Sequence, residues 1–197
     1  ISHYLYNHFQ SLHIDENKIY ILTHLVELEN YEDARSVKIF RNETVTIGAL
    51  GPLTEGNGIS DLLQAFKLVT IKHDNVRLLL IGGPDHAISK YRETANKLAI
   101  ENKVIFTGQI PHYDLSSKLQ LCDIFVLARP YSIYAIAGFP TKLGEYLACQ
   151  RPVVITSYGD IPLFLKNNYN AMLAEPDDPN DIATKITNLI DHHENAS

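Results

Sequence analysis

Basic residues are in short supply. In 197 residues, 17 Lys and Arg stand against 23 Asp and Glu, a formal charge of −6 with a pI near 5.8. That balance excludes a general nucleic-acid binder, whose affinity rests on clustered Lys and Arg meeting phosphates. Long apolar runs are missing too: a stretch such as 124–128 falls far short of the ~20 apolar residues of a membrane span. Cysteine is scarce. Cys122 and Cys149 lie 27 residues apart among apolar neighbours, neither a disulfide framework nor metal-ligand spacing. They read as reduced core thiols of a cytosolic protein. The sequons at Asn42-Glu43-Thr44 and Asn195-Ala196-Ser197 then carry little weight, since glycosylation requires secretion. No signal-peptide pattern opens the chain. It starts at Ile1 rather than Met, which suggests a processed or excised piece.

Strong short motifs are also lacking. Gly48, Gly51, Gly56 and Gly58 approach a dinucleotide fingerprint in composition but miss the G-x-G-x-x-G spacing, and no P-loop occurs. There is no G-x-S-x-G elbow and no H-E-x-x-H helix. The nine histidines are scattered, and His192-His193 reads as solvated surface.

What is present is alternation. The length suits one domain, or one plus a remnant of another, and lets it bury about 70% of its unfolded surface without a staple. Residues 1–12 read as a helix end, 18–23 as a strand and 27–41 as a connector. From Thr44 onward, β-branched or Leu-rich runs at 45–50, 76–81, 104–107, 124–128, 153–156 and 171–173 alternate with helical stretches at 59–70, 89–100, 114–121, 142–149 and 181–191. Leu62, Leu63, Phe66, Val69, Leu98, Leu121 and Leu147 fall on inward helical faces. Strands apolar on both faces, such as Leu78 to Ile81, predict a parallel sheet covered by helices on each side. The fold class is α/β, a doubly wound, largely parallel Rossmann-like sheet of six strands. Ligands of such a sheet bind beyond the carboxyl ends of the strands. The loops that matter are therefore 51–58, 82–86, 108–112, 129–141, 157–160 and 175–178.

The stretch from Gly138 to Val154 is the most informative. It crosses a loop, enters a helix near Thr141 and leaves into a strand at Pro152. Free amides and the dipole at a helix start attract anions. Gly138 lets a phosphate approach the backbone, and Lys142 adds a cation that is unfavourable to the helix unless a ligand faces it. Glu145, one turn in, is placed to accept from a vicinal diol such as a ribose. A structural role is equally available: Glu145 complements the dipole and Gly144 permits tight helix packing.

The wording Gly138-Phe139-Pro140-Thr141-Lys142-Leu143-Gly144-Glu145-Tyr146-Leu147-Ala148, with the exit Pro152-Val153-Val154, resembles the nucleotide-sugar segment of retaining family-4 (glycogen-synthase-like) GT-B glycosyltransferases, in a bacterial subgroup. Gly48 with Gly58-Ile59-x-x-Leu62-Leu63-x-Ala65-Phe66 is similar to the first unit of their C-terminal, donor-binding domain. Leu79 to Gly83 is similar to its second strand, Val104 to Gly108 with Leu119 to Val126 to its third unit, and Asn170 to Leu173 with Glu175-Pro176 to its close. His24-Leu25-Val26-Glu27 with Tyr31 looks like a degenerate interdomain linker. The resemblance implies residues 1–23 as the end of a preceding domain, 24–44 as linker and 45–197 as the donor domain. It implies that Glu145 holds the ribose, and that the amides of Gly138, Phe139, Thr141, Lys142 and Leu143, with Pro140 among them, line diphosphate and sugar. Thr107, Gly108 and Gln109 would meet the base, and the loop from Gly51 to Gly58 would close over the phosphates.

The same resemblance implies a metal-independent enzyme of polysaccharide biosynthesis with no cofactor. It would move sugar from a nucleotide diphosphate sugar to a glycan or lipid-linked acceptor. The whole protein would be cytoplasmic and peripheral at the inner face of a membrane. Positive groups and helix ends stabilise the leaving group there. Three positions depart from the pattern. Ala137 stands where the family carries the first of two Glu eight positions apart, Ala49 replaces a basic residue, and Gly56 or Asn57 a Lys. Lys142 and Arg129 are the available replacements. With the acceptor domain missing, this chain alone is expected to bind without turnover. A non-catalytic nucleotide-sugar-binding or interaction domain is the alternative. A flavodoxin-like module is disfavoured: the loop after 45–50 lacks a receiver's acidic cluster, and Tyr131 and Tyr134 alone make no flavin site.

Overall fold

The computed structural model describes residues 2–22, 24–36, 39–40 and 44–192. Ile1, Thr23, Asn42, Glu43, His193 and the sequon at Asn195 lie outside the described residues. Six strands, β1 (Val45–Leu50), β2 (Val76–Ile81), β3 (Val104–Phe106), β4 (Ile124–Leu127), β5 (Val153–Thr156) and β6 (Met172–Ala174), form one sheet in the order β3-β2-β1-β4-β5-β6. Every pairing is parallel. All six following loops therefore leave at one edge, and the order reverses between β1 and β4.

Alternate strand residues feed two cores, as the period of 2 dictates. Ile47, Leu78, Leu80, Ile124, Val126 and Val154 face α3 (Ile59–Lys72), α4 (Asp85–Lys97) and α9 (Pro179–Asp191). Leu79, Ile81, Phe125, Leu127, Val153 and Ile155 face α2 (Glu32–Ser36), α5 (Leu115–Leu119), α6 (Ile133–Ala137), α7 (Thr141–Ala148) and α8 (Ile161–Phe164). Gly48 is required by this packing, because a Cβ there would lie 2.4 Å from Cys122 Sγ. Both cysteines are buried and free.

Several expectations are corrected. Residues 18–22 form no strand: a 3-10 turn, Glu16–Lys18, is followed by irregular chain. Tyr20 and Leu22 are exposed there. Leu121 and Leu147 are exposed as well. Leu121 falls in the turn beyond α5, and the inward face of α7 is carried by Leu143 and Tyr146 instead. The connector 27–41 contains α2, whose Ala34 is fully buried. The first helix, α1 (His3–Ser11), is present and docks on α6: Ser2 Oγ donates to the Ala137 carbonyl at 2.6 Å. Among the described residues, no helix is long and apolar enough to cross a membrane.

Candidate functional site

The crevice forms where the strand order reverses, between the ends of β1 and β4. On one side, the chain leaves β1 through Gly51 at φ +123°, a backbone angle that L side chains rarely adopt. Gly58, at φ +70°, then lies so close to β4 that a Cβ would meet the Ala128 carbonyl oxygen at 1.6 Å. Only glycine fits, and the start of α3 is thereby pinned to the end of β4.

The other side is the loop 129–141. Ser132 Oγ caps α6 by accepting from Ala135 N at 3.0 Å. Phe139 packs edge-on against Phe164 of α8, with centroids 5.3 Å apart. Pro140 is the N-cap residue of α7 and offers no side-chain cap, so the first amides of that helix are not closed off by its own cap. Gly138 N donates to Tyr134 O and Leu143 N to Pro140 O. Phe139, Thr141 and Lys142 thus keep amides without a partner among the described residues. Gly138 itself is extended at φ −101°, so it supplies room rather than an unusual backbone angle.

What aims α7 at the crevice is Tyr146. Its ring stacks on Phe125 at 4.1 Å and its hydroxyl accepts from Leu50 N at 2.6 Å, tying α7 to the end of β1. From the first turn, Lys142 reaches back across β1: its Cε lies 3.2 Å from where a Gly51 Cβ would sit. Its Nζ donates to Thr141 Oγ1 at 3.3 Å. Arg129, 9% exposed, places its guanidinium 5.5 Å from the Tyr134 ring, and its Nε is buried without a hydrogen-bond partner among the described residues. Nearby, burial pushes the Tyr158 hydroxyl up to about 12, against the pull of the Arg129 charge.

Glu145 has a buried Oε2 with no hydrogen-bond partner among the described residues. Desolvation by burial holds its carboxyl above the usual range, opposed by the charges of Lys142, His24 and His112. Tyr31 adjoins it and is itself pushed up to about 12 by burial, then by Glu145 and Cys149. Sequence reasoning missed His24, His112 and Tyr31 as neighbours of Glu145, because three separate segments deliver them. Gly144 is explained structurally: a Cβ would come 2.5 Å from Val26 Cγ2, so the chain at Val26 lies directly on α7.

Thr107, Gly108 and Gln109 stand further along the same edge. Thr107 Oγ1 accepts from Gly82 N at 3.2 Å and donates to Gly108 O at 2.8 Å, and a Cβ on Gly82 would be 2.9 Å from Gly51 O. The three loops are stitched in series, while Gln109 is exposed. A small cavity of about 90 Å³, lined by Tyr31, His112 and Ser116 among others, adjoins the surroundings of Glu145. A larger one, about 650 Å³, lies at the opposite edge of the sheet. Of the departures, Ala49 is buried in the core, and Asn57 Nδ2 is engaged with Pro52 O at 2.8 Å. No group of three or more His, Cys, Asp or Glu suited to a metal occurs among the described residues.

The profile of the family described as glycosyl transferases group 1 matches residues 44–192. Mannosylfructose-phosphate synthase of Agrobacterium fabrum is 25% identical over 160 residues, covering 78% of this chain and 34% of that protein. The crystal structure of Anabaena Alr3699/HepE in complex with UDP-glucose superposes with a TM-score of 0.81 at 17% identity, over 99% of this chain and 54% of that one. The C-terminal domain of the group 1 glycosyl transferase LpcC from Francisella tularensis gives 0.66 at 20% identity, over 92% and 89%. The chain thus spans about a third of the length of the first curated relatives it matches.

Proposed function

This chain belongs to the glycosyl transferases group 1 family, and from that we propose that it is the C-terminal, donor-binding half of a retaining, family-4-like GT-B glycosyltransferase. On this reading residues 1–23 close a preceding domain, 24–44 are linker and 45–197 bind a nucleotide diphosphate sugar. The observation that carries it is the crevice between β1 and β4. A helix start with unpartnered amides, a lysine bent over Gly51 and a half-buried carboxylate with an orphaned oxygen converge there. The diphosphate lies against the amides of Phe139, Thr141 and Lys142 and the Lys142 ammonium, which takes up the charge of the departing diphosphate. Glu145 accepts the ribose hydroxyls, and Arg129 lies at the phosphate side. The loop 107–109 faces the base, and no metal is needed.

The acceptor, a glycan or lipid-linked sugar, docks on the other domain at the cytoplasmic face of a membrane. This chain alone therefore binds donor without transferring sugar. The three departures, Ala137, Ala49 and the Lys missing at Gly56 or Asn57, favour one second reading, a non-catalytic nucleotide-sugar-binding or interaction domain. A thermal-shift panel of UDP, GDP, ADP and their common sugars tests the shared premise. Stabilisation by one nucleotide series supports it, and none by any contradicts it. Activity of the whole protein then separates the two readings.

A further inference from the structure

A cavity of about 650 Å³ opens at the edge opposite the six loops, between the starts of β5 and β6 and the end of α9. Its volume is that of a small-molecule site. Its walls carry the amide side chains of Gln150, Asn168 and Asn188, the ring of Tyr169 and an apolar floor that includes Met172 and Leu189. We propose that this cavity binds a neutral saccharide unit of a glycan, at a site separate from the donor crevice.

The argument is one of matching chemistry. The side chains of Gln150, Asn168 and Asn188 have no hydrogen-bond partner among the described residues. Each primary amide offers donors and an acceptor together. A sugar hydroxyl is likewise donor and acceptor, so three amides from three elements suit a non-planar polyol. Tyr169 is 84% exposed, an aromatic face against which the C–H face of a pyranose can lie. Among the described residues no carboxylate lines the cavity, which disfavours a cation. The two basic residues that line it among the described ones are engaged: Arg151 Nη2 donates to Ala34 O at 2.7 Å, and His192 Nδ1 bonds Asn188 O at 3.0 Å. An anionic ligand is therefore the poorer match.

The presenting turn is also held in shape. Asn170 Oδ1 accepts from Lys166 N at 2.7 Å and its Nδ2 donates to Phe164 O at 3.2 Å, while Asn168 N closes on Ala171 O at 3.0 Å. Asn168 and Tyr169 are thus offered from a braced loop rather than a loose one. About 13 Å of β5 separates this edge from the donor edge. The inference stands independently of which nucleotide, if any, the crevice takes.

The test is a titration of the ¹⁵N-labelled chain, followed residue by residue, with maltotriose, chitotriose, uridine monophosphate and UDP in separate arms. The expected result is that at least one neutral trisaccharide shifts the resonances of Gln150, Asn168, Tyr169 and Asn188. Tyr169→Ala, at an exposed position, should weaken that binding about tenfold. No shift at these residues up to about 20 mM of either trisaccharide overturns the proposal. So does a response of the cavity to uridine monophosphate in their place, or an affinity that Tyr169→Ala leaves unchanged. UDP reports on the donor crevice alone, through the loops 51–58 and 138–142, so the two readings fail separately.

Discussion

Lys142 lies against Gly51: the lysine Cε sits 3.2 Å from the position a Gly51 Cβ would take, across the end of β1. The contact joins the two loops of the crevice through a stem that ends in the one cation of α7's first turn. A side chain at position 51 must displace that lysine and also adopt φ +123°.

Gly51→Ala should therefore act twice. Backbone strain of about 1–3 kcal/mol lowers the melting temperature, and the displaced Lys142 weakens nucleoside diphosphate binding. Lys142→Ala isolates the second effect. It should lose about tenfold or more in diphosphate affinity, the scale of a charge-assisted hydrogen bond, with little change in the unliganded melting temperature. Calorimetric titration with thermal melts separates the two variants.

Gly144→Ala pits helix propensity against packing. Alanine gains about 1 kcal/mol in a helix interior, but its Cβ would stand 2.5 Å from Val26 Cγ2, and overpacking costs about 1–3 kcal/mol. The expected outcome is net destabilisation. Adding Val26→Ala should restore stability beyond the sum of the single effects, a coupling read from a double-mutant cycle of melts.

Ser2 caps α1 by accepting from Leu5 N at 3.2 Å and bonds the Ala137 carbonyl at 2.6 Å, one residue before Gly138. Ser2→Ala should cost about 1–2 kcal/mol. Hydrogen exchange should quicken at residues 136–139 and stay unchanged in β1 and β2.

The pH dependence of stability carries the signature of Glu145. Its folded carboxyl titrates above its ordinary value of 4.5 because burial disfavours the charge. Between those two values the folded state holds the extra proton, so stability falls as pH rises from about 4.5 through the raised folded value and is level above it. Glu145→Gln removes that loss. Relative to the unaltered chain, its melting temperature should rise across this window and hold its advantage above it, as melts at stepped pH will show.

The sheet was legible because a parallel strand covered on both faces leaves a plain mark, as in Leu78-Leu79-Leu80-Ile81, and all six runs became strands within a residue or so. Tyr20, Ile21 and Leu22 carry the same local mark yet form no strand, since a strand needs a partner edge as well as a pattern. The short helices α6 and α8 were not legible: at five and four residues they show no period. In the candidate site, the helix start and Glu145 could be read from local spacing. The partners of Glu145 could not, because His24, Tyr31 and His112 reach it only through the fold. Nor could the reach of Lys142 to Gly51.

The central claim is that Glu145 recognises a ribose in a crevice built for a diphosphate. Titration of UDP, GDP and ADP into the unaltered chain and into Glu145→Ala tests it most directly. The account predicts one-to-one binding of at least one nucleoside diphosphate, weakened about ten- to a hundredfold by the substitution. The unliganded melting temperature should shift by no more than the dipole's few tenths to 1 kcal/mol. Intact affinity with a sharply lowered unliganded melting temperature would make Glu145 a structural residue and contradict the account.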